Sequence, residues 1–315
     1  MMKLSEFDQS FYNENISILA GVDEAGRGPL AGPVVAAAVI LPNDFHLDSI
    51  RDSKKISEKK RILIFDKIVN YALDYGVGIC HEDEIDKINI LESTFKAMKK
   101  ALGSLKHKPD LTLIDGLKTK IKIYNCKHIV KGDSKSQSIA AASIIAKVIR
   151  DKMMINYDKI FPEYGFARHK GYGTKFHIDA IVSNKSSPIH RKSFNPVLNH
   201  LPSFSYFNTN VKMKKLSTKI VASFYIKKNY NILEIFQCKI FDIFHSEEKR
   251  NVLSIIVYDT TNGKSIDFNK YKNDKIKNEL ILKEKEFKLD IEIDVILVKL
   301  SKQKPKILIE KNVYK

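Results

Sequence analysis

Apolar positions in the first two hundred residues alternate between short strand-like runs and amphipathic helical stretches. Residues 16–22 are mostly apolar and residues 34–41 form an eight-residue apolar run, so these two segments predict the strands of a hairpin. Further strand-like runs occupy 77–81, 111–114 and 121–130. Strands mixed with helices in this order predict an α/β fold, a mixed sheet flanked by helices.

Helical periodicity fills the intervals between these runs. The stretch 57–71 repeats apolar residues at helical spacing and begins with a serine, a residue type that caps helices. A second helix is predicted over 90–105. The Ala- and Ile-rich segment from 134 to about 157 is the strongest helix prediction, because Ala has the highest helix propensity. Gly171–Gly173 predicts a turn, after which Thr174 caps a further helix.

The pattern changes near Pro196. Residues 199–210 carry no charged side chain and are rich in Pro, Ser, Asn and aromatic residues. We therefore predict a linker at 201–212 between a domain over 1–200 and a C-terminal extension over 213–315. The extension is rich in Lys, Ile and Asn, with strand-like runs at 252–258 and 291–300. We expect it to be a smaller α/β domain or a partly ordered segment.

The chain is strongly basic. Lys and Arg outnumber Asp and Glu by 54 to 37, a net charge of +17, and the excess is shared by residues 1–210 and 211–315. A balance of this kind favours polyanionic partners, of which nucleic acid is the commonest. Lysine enrichment for solubility is the alternative explanation, so charge alone does not decide the function.

Cysteine spacing and the N-terminal sequence indicate the cellular compartment in which the protein is expected. Cys80, Cys126 and Cys238 are isolated along the chain, which indicates neither a disulfide framework nor a zinc site. The first residues lack a signal-peptide pattern, and no apolar run is long enough to cross a bilayer. We expect a soluble cytoplasmic protein that does not bind membranes and acts as a monomer.

Four acidic residues stand beside glycines at the ends of predicted strands: Asp23, Glu24, Asp115 and Asp133. Carboxylates brought together raise one another's pKa and need a cation to neutralise them. Oxygen ligands favour Mg²⁺ or Mn²⁺ over zinc. Two such ions would activate a water and stabilise the leaving oxygen of a phosphodiester, which is nuclease chemistry.

Each of these acids also has a structural interpretation, because acids at turns are common as caps and Asx-turns. Asp23 and Glu24 should point to opposite faces of a regular strand, so a shared ion requires a bulge or a carbonyl ligand. Asp151 follows Asp133 by eighteen residues, about 27 Å along a continuous helix. We therefore assign Asp151 to packing or to an ion pair.

Two further features suit nucleic-acid recognition. Glycines on either side of Arg27 let the main chain approach a ligand closely. Tyr172, between Gly171 and Gly173, is predicted to be an exposed aromatic that stacks on a sugar or base. A surface ion pair for Arg27 and an ordinary loop around Tyr172 are the alternatives.

Seven ordered motifs resemble the bacterial ribonuclease HII family over about residues 16–200. They are Gly21–Pro33, Asp52–Lys55, Leu113–Gly116, Lys131–Ser134, Ala140–Asp151, His169–Thr174 and His190–Phe194. The sister type, ribonuclease HIII, has similar acids but lacks this arginine and carries an extra N-terminal domain. From Arg27 and the short N-terminus we expect type HII.

The resemblance implies a ribonuclease H-like fold and a metal-dependent endonuclease. Such an enzyme hydrolyses the RNA strand of RNA–DNA hybrids and cuts at single ribonucleotides in duplex DNA, leaving 3′-hydroxyl and 5′-phosphate ends. A non-catalytic hybrid-binding protein is the alternative, although binding alone would not need four acids. A phosphotransferase acting on a small substrate is a third possibility, and the basic charge and Tyr172 argue against it.

The resemblance also implies residue roles. Asp23, Glu24, Asp115 and Asp133 would be the catalytic ligands of Mn²⁺ or Mg²⁺, with two ions during catalysis. The substrate-binding residues would be Gly26, Arg27 and Gly28, which read the ribose 2′-hydroxyl, Tyr172, which packs on the following deoxyribose, and Lys54 and Lys55, which are candidate phosphate contacts.

The extension resembles a small restriction-endonuclease-like family through residues 222–233 and 289–296. Such nucleases need a Glu-X-Lys on a strand, and the strand-like run 252–258 offers neither residue. This resemblance implies a degenerate domain that binds nucleic acid or a protein. A poorly ordered Lys- and Asn-rich extension is the alternative.

Overall fold

The computed structural model describes residues 4–45, 56–116, 125–236, 240–247, 250–260, 267–300 and 305–314. Its strands are β1 Leu19–Ala25, β2 Val34–Ile40, β3 Asp74–Cys80, β4 Leu111–Asp115, β5 Cys126–Ile129, β6 Asn231–Ile235, β7 Ile243–Glu247, β8 Arg250–Asp259, β9 Ile291–Lys299 and β10 Lys306–Glu310. Its α-helices are α1 Leu4–Gln9, α2 Glu58–Tyr71, α3 Glu82–Gly103, α4 Gln137–Ile160, α5 Phe166–His169, α6 Lys175–Asn184, α7 Asn210–Lys227 and α8 Asp274–Phe287. Lys54, Lys55 and Cys238 lie outside the described residues.

The first sheet is mixed, with strand order β3-β2-β1-β4-β5. The predicted hairpin is confirmed, since β1 and β2 pair antiparallel, and β3 extends it on the other side of β2. On the opposite edge β4 and β5 run parallel to β1. Every residue of β2 is buried, which explains its uninterrupted apolar sequence.

Helices cover both faces of this sheet. On one face Val22 and Ile114 form a core with Met98 of α3. On the other face α4 passes directly over β1, because a Cβ added to Gly21 would lie 2.1 Å from the carbonyl carbon of Ser138. Only glycine permits this approach of helix to strand.

Local caps follow the sequence predictions. Ser57 accepts a hydrogen bond from the Lys60 amide at the start of α2, and Thr174 accepts one from the amide of His177 in α6. Within α3 the backbone breaks at Asn89 (φ 65°), whose side chain caps the following turn. The long part of α3 therefore begins at residue 90, as predicted.

The extension forms a second five-stranded sheet, with strand order β10-β9-β8-β7-β6. Its two predicted strands, 252–258 and 291–300, correspond to β8 and β9, which run parallel and are joined through α8. A separate apolar core forms where Leu253 and Ile293 pack with Ile276 of α8. In the described residues the extension is thus an α/β structure with its own core.

Contacts divide the chain into two compact units. The first holds the described residues up to Met153 together with Lys170–Tyr172 and His190–Asn195, and the second holds the remainder. Two short 3-10 turns occupy 197–200 and 204–207, and α7 begins at Asn210, inside the predicted linker. The domain boundary at 201–212 stays a prediction. None of the described helices has the length and apolarity to cross a membrane.

Candidate active site

Asp23 and Asp115 lie on neighbouring strands, Asp115 as the last residue of β4 and Asp23 two residues before the end of β1. Each comes one residue after the last pair in the parallel register of β1 and β4. Because side chains alternate along a strand, they share a face with Leu19 and Leu113, which pack on Ile139 of α4. The two carboxylates therefore leave adjacent strands on the same side of the sheet.

Neighbouring elements hold these carboxylates. The hydroxyl of Ser143 in α4 donates a hydrogen bond to Asp23, and the Glu24 amide donates to Asp23 Oδ1 at 2.7 Å. The Gly132 amide donates to Asp115 Oδ1 at 2.6 Å. The sequence predictions did not include Ser143, although a single hydroxyl within the Ala- and Ile-rich stretch 139–146 was a usable signal.

Asp133 is the next residue after Gly132 on the 3-10 turn Gly132–Ser134, and its side chain is buried. The turn follows β5, which pairs with β4. The fold thus brings Asp133 to the segment whose amide binds Asp115, on the parallel edge of the first sheet.

The acids influence one another's protonation. Burial raises the pKa of Asp23 well above its ordinary value, and the charges of Glu24 and Asp115 raise it further. Burial is also the largest cause of the raised pKa of Glu24, with Arg27 opposing it and Asp115 adding to it. The ionisation of one of these acids is therefore opposed by the charge of its neighbours.

The donor chemistry of this group fits a hard divalent cation. Carboxylate oxygens are the ligands of Mg²⁺ and Mn²⁺, and a cation would relieve the repulsion that raises the pKa of Asp23. In the described residues, however, no three His, Cys, Asp or Glu side chains are gathered closely enough to enclose an ion. The acids lie near the same end of the sheet, but their carboxylates do not enclose a metal site.

The bulge considered for Asp23 and Glu24 is absent. β1 pairs with β2 without interruption from Ala20 to Ala25, so the two side chains alternate across the sheet. The Glu24 carboxylate lies instead 3.4 Å from Nη1 of Arg27, whose side chain is 56% exposed. The ion-pair interpretation of Arg27 thus holds alongside its place in the Gly-Arg-Gly turn, Gly26–Gly28.

Two buried arginines hold the segment between β1 and β2. Arg191 donates to five carbonyl oxygens: Gly26 (2.5 Å), Arg27 (2.8 Å), Pro29 (2.7 Å), Gly32 (3.0 Å) and Pro33 (3.3 Å). Arg150 donates to Pro33 (3.0 Å), Ala31 (3.2 Å) and Lys170 (2.9 Å). Sequence reasoning placed both arginines in motifs but gave neither a role.

Tyr172 lies beside the Gly-Arg-Gly turn. A Cβ added to Gly28 would be 3.7 Å from the Tyr172 ring, which is 45% exposed. The Leu30 amide donates to the Gly171 carbonyl at 2.8 Å and ties the tyrosine loop to the same segment. The turn and the aromatic ring thus form one surface next to the acids.

Asp151 is held by two cationic side chains. Its carboxylate pairs with Lys147 at 2.8 Å and with Arg61 at 3.7 Å. The prediction of an ion pair is confirmed. Lys54 and Lys55, as candidate phosphate contacts, fall outside the described residues.

Comparison with known proteins gives consistent similarities. The model of the family described as "Ribonuclease HII" matches residues 20–197. A ribonuclease HII of Endomicrobium trichonymphae is 55% identical over 192 residues, 61% of this chain and 91% of that protein. One from Clostridioides difficile is 53% identical over 188 residues, 60% of this chain and 74% of that protein.

A solved structure gives the same similarity at the level of the fold. The crystal structure of ribonuclease H2 from Pyrococcus horikoshii aligns with a TM-score of 0.50 and 27% identity. The alignment covers 58% of this chain and 96% of that one.

Proposed function

This chain belongs to the ribonuclease HII family. We propose that one set of its site residues hydrolyses the substrate and a neighbouring set recognises it. The protein is a ribonuclease H, an endonuclease that hydrolyses the RNA strand of RNA–DNA hybrids. Its proposed finer specificity is the single ribonucleotide embedded in duplex DNA. Cleavage there would be the first step in removing ribonucleotides from DNA.

The observation that carries this proposal is the placement of Asp23 and Asp115 on one face of neighbouring strands, close to an exposed backbone turn. Enzymes of this family depend on a divalent metal, and we propose that Asp23, Glu24, Asp115 and Asp133 hold Mg²⁺ or Mn²⁺ here. Because β1 has no bulge, Glu24 would contribute its main-chain carbonyl to an ion shared with Asp23. When bound, the ions would supply Lewis acidity for phosphodiester hydrolysis. The Ser143 hydroxyl and the Gly132 amide orient the carboxylates of Asp23 and Asp115.

Substrate recognition is proposed to lie in the adjacent turn. Gly26–Gly28 would contact the ribose 2′-hydroxyl through its backbone, which distinguishes RNA from DNA at one position. Tyr172, half-exposed beside Gly28, would pack on the deoxyribose that follows. The reaction and the choice of nucleotide would thus be the work of neighbouring residues.

The test uses the full chain on a DNA duplex that contains one ribonucleotide, with an all-deoxyribonucleotide duplex as control. We expect Mg²⁺- or Mn²⁺-dependent cleavage beside the ribonucleotide and none of the control. End-labelling and ligation of the products should reveal 3′-hydroxyl and 5′-phosphate ends. Tight binding of hybrid without cleavage at any metal concentration would favour the hybrid-binding alternative.

The second unit carries a basic surface, which we propose binds single-stranded nucleic acid. In the second unit a cavity of about 300 Å³ is lined by Lys212, Lys215 and Lys219 of α7, with Tyr206 and Phe207 among the aromatic residues beside them. Lys219 pairs with Glu163, and Lys212 lies 4.8 Å from the centre of the Tyr206 ring. Lysines beside aromatic rings suit phosphates with stacked bases.

Substitution of Lys215 tests this proposal. Among the described residues its ammonium has no hydrogen-bond or ion-pair partner, so the substitution breaks no such contact within the protein. Lys215→Glu should weaken binding of an oligothymidylate and lower the slope of log Kd against log salt by about one. Lys275→Glu, an equal charge reversal at an exposed position of α8, is the control. Equal effects of the two variants would favour a protein partner for the extension.

A further inference from the structure

Arg191 is the least expected feature of the first unit, because its guanidinium is fully buried and forms no ion pair within the described part of the chain. Burial lowers its pKa to about 9, and burial likewise lowers the pKa of Arg150 to about 10. A buried cation without a carboxylate needs other acceptors. All five that Arg191 uses are main-chain oxygens between Gly26 and Pro33.

These bonds fix the orientation of two peptide groups. In a trans peptide the carbonyl of one residue and the N–H of the next point in opposite directions. Arg191 binds the carbonyls of Gly26 and Arg27. The N–H groups of Arg27 and Gly28 are therefore directed away from the guanidinium, toward the exposed side of the turn.

The two N–H groups are adjacent and available. Arg27 and Gly28 are both exposed, and in the described residues neither amide donates a hydrogen bond to the protein. Two neighbouring donors of this kind suit a single oxygen acceptor. Gly28 also lies against the Tyr172 ring, so a sugar seated there would meet both donors and an aromatic face.

Arg150 fixes the second half of the same surface. It binds the carbonyls of Ala31 and Pro33 in the segment between β1 and β2, and the Lys170 carbonyl in the tyrosine loop. It also forbids any side chain at Gly26, because a Cβ there would lie 2.1 Å from its Nε. The two arginines thus connect the amide pair and Tyr172 through backbone oxygens.

We propose that Arg191 is a positioning residue for ribonucleotide recognition: its guanidinium aims the amides of Arg27 and Gly28 at the ribose 2′-hydroxyl without touching the substrate. The inference rests on the proposed function of the turn. It also predicts that the forked shape of the guanidinium matters, since one lysine ammonium cannot reach five carbonyls.

The test measures binding without cleavage. The full chain is titrated in chelator, by fluorescence anisotropy, with a DNA duplex that contains one ribonucleotide and with the same duplex in all-deoxyribonucleotide form. We expect Arg191→Ala to reduce the preference for the ribonucleotide by about tenfold, the value of one or two hydrogen bonds, and to change affinity for the all-deoxyribonucleotide duplex by less than about threefold. Arg191→Lys should lose nearly as much preference.

Arg61→Ala is the matched control. Arg61 is also nearly buried in the first unit and donates to a main-chain oxygen, that of Ile56. Both alanine variants should lower the melting temperature, but only Arg191→Ala should lose ribonucleotide preference. The proposal is overturned if Arg191→Ala keeps the preference, if Arg191→Lys restores it fully, or if the wild-type protein binds both duplexes equally.

The same proteins assayed with metal separate this inference from the proposed function. A wild-type protein that fails to cleave at the ribonucleotide contradicts the proposed function. A wild-type protein that cleaves there, with an Arg191→Ala variant of unchanged preference, contradicts only the role of Arg191.

Discussion

Asp23→Asn is expected to abolish cleavage and to raise the melting temperature of the metal-free protein. The loss of activity should be at least about a thousandfold, since a metal ligand supplies several kcal/mol of transition-state stabilisation. The gain in stability follows from burial, because a buried carboxylate that faces Glu24 and Asp115 is costly when ionised. A gain of about 1 kcal/mol corresponds to about 2–4 °C.

The sign of the pH dependence follows from the raised pKa of Asp23. A carboxyl group whose folded pKa is raised contributes stability below its unfolded pKa, and this contribution is lost as pH rises through the folded pKa. The stabilisation by Asp23→Asn should therefore be larger at neutral pH than at pH 4. Melting curves in chelator at both pH values check this. Added Mn²⁺ should raise the melting temperature of the wild type more than that of the variant.

Asp151→Asn is the control for Asp23→Asn. Asp151 is as buried as Asp23, but its partners are Lys147 and Arg61. Its replacement should lower the melting temperature and leave cleavage largely intact. Substantial cleavage by Asp23→Asn, or a lower melting temperature for that variant in chelator, would contradict the proposed site.

Arg27→Ala is expected to lower kcat/KM on a single embedded ribonucleotide about tenfold more than on a continuous hybrid. A hybrid offers a 2′-hydroxyl in every register, whereas the other duplex offers a single productive register. Removal of the Arg27 side chain breaks its ion pair with Glu24 and so loosens the turn that carries the reading amides. The loss should therefore be larger on the duplex with a single ribonucleotide. The ratio of the two kcat/KM values is the measurement, and an unchanged ratio would contradict a role of Arg27 in specificity.

The same substitution should shift the pH profile of cleavage. Arg27 is the charge that lowers the pKa of Glu24 against burial and Asp115. Without Arg27 the pKa of Glu24 rises, so activity should be lost at a higher pH as the solution is acidified. Arg27→Lys keeps the charge and should retain the profile of the wild type.

Much of the fold could be predicted from local sequence, because local physics determines those parts. The apolar run of β2 and the caps at Ser57 and Thr174 depend on neighbours within a few residues. The break at Asn89 could not be predicted in this way, since helical periodicity alone does not reveal a residue with left-handed backbone angles. The composition of the extension left open whether it forms a sheet, which the pairing of β8 with β9 decided.

For the candidate site, the acids that stand close to glycines could be identified from the local sequence, and the ordered motifs indicated the family. The folded structure places Asp23 and Asp115 on one face of the sheet and brings Ser143 to Asp23. It alone assigned Arg191 to the carbonyls of a turn 158 to 165 residues away. Every residue carries the same main-chain oxygen, so no sequence pattern marks the oxygens that a distant arginine binds.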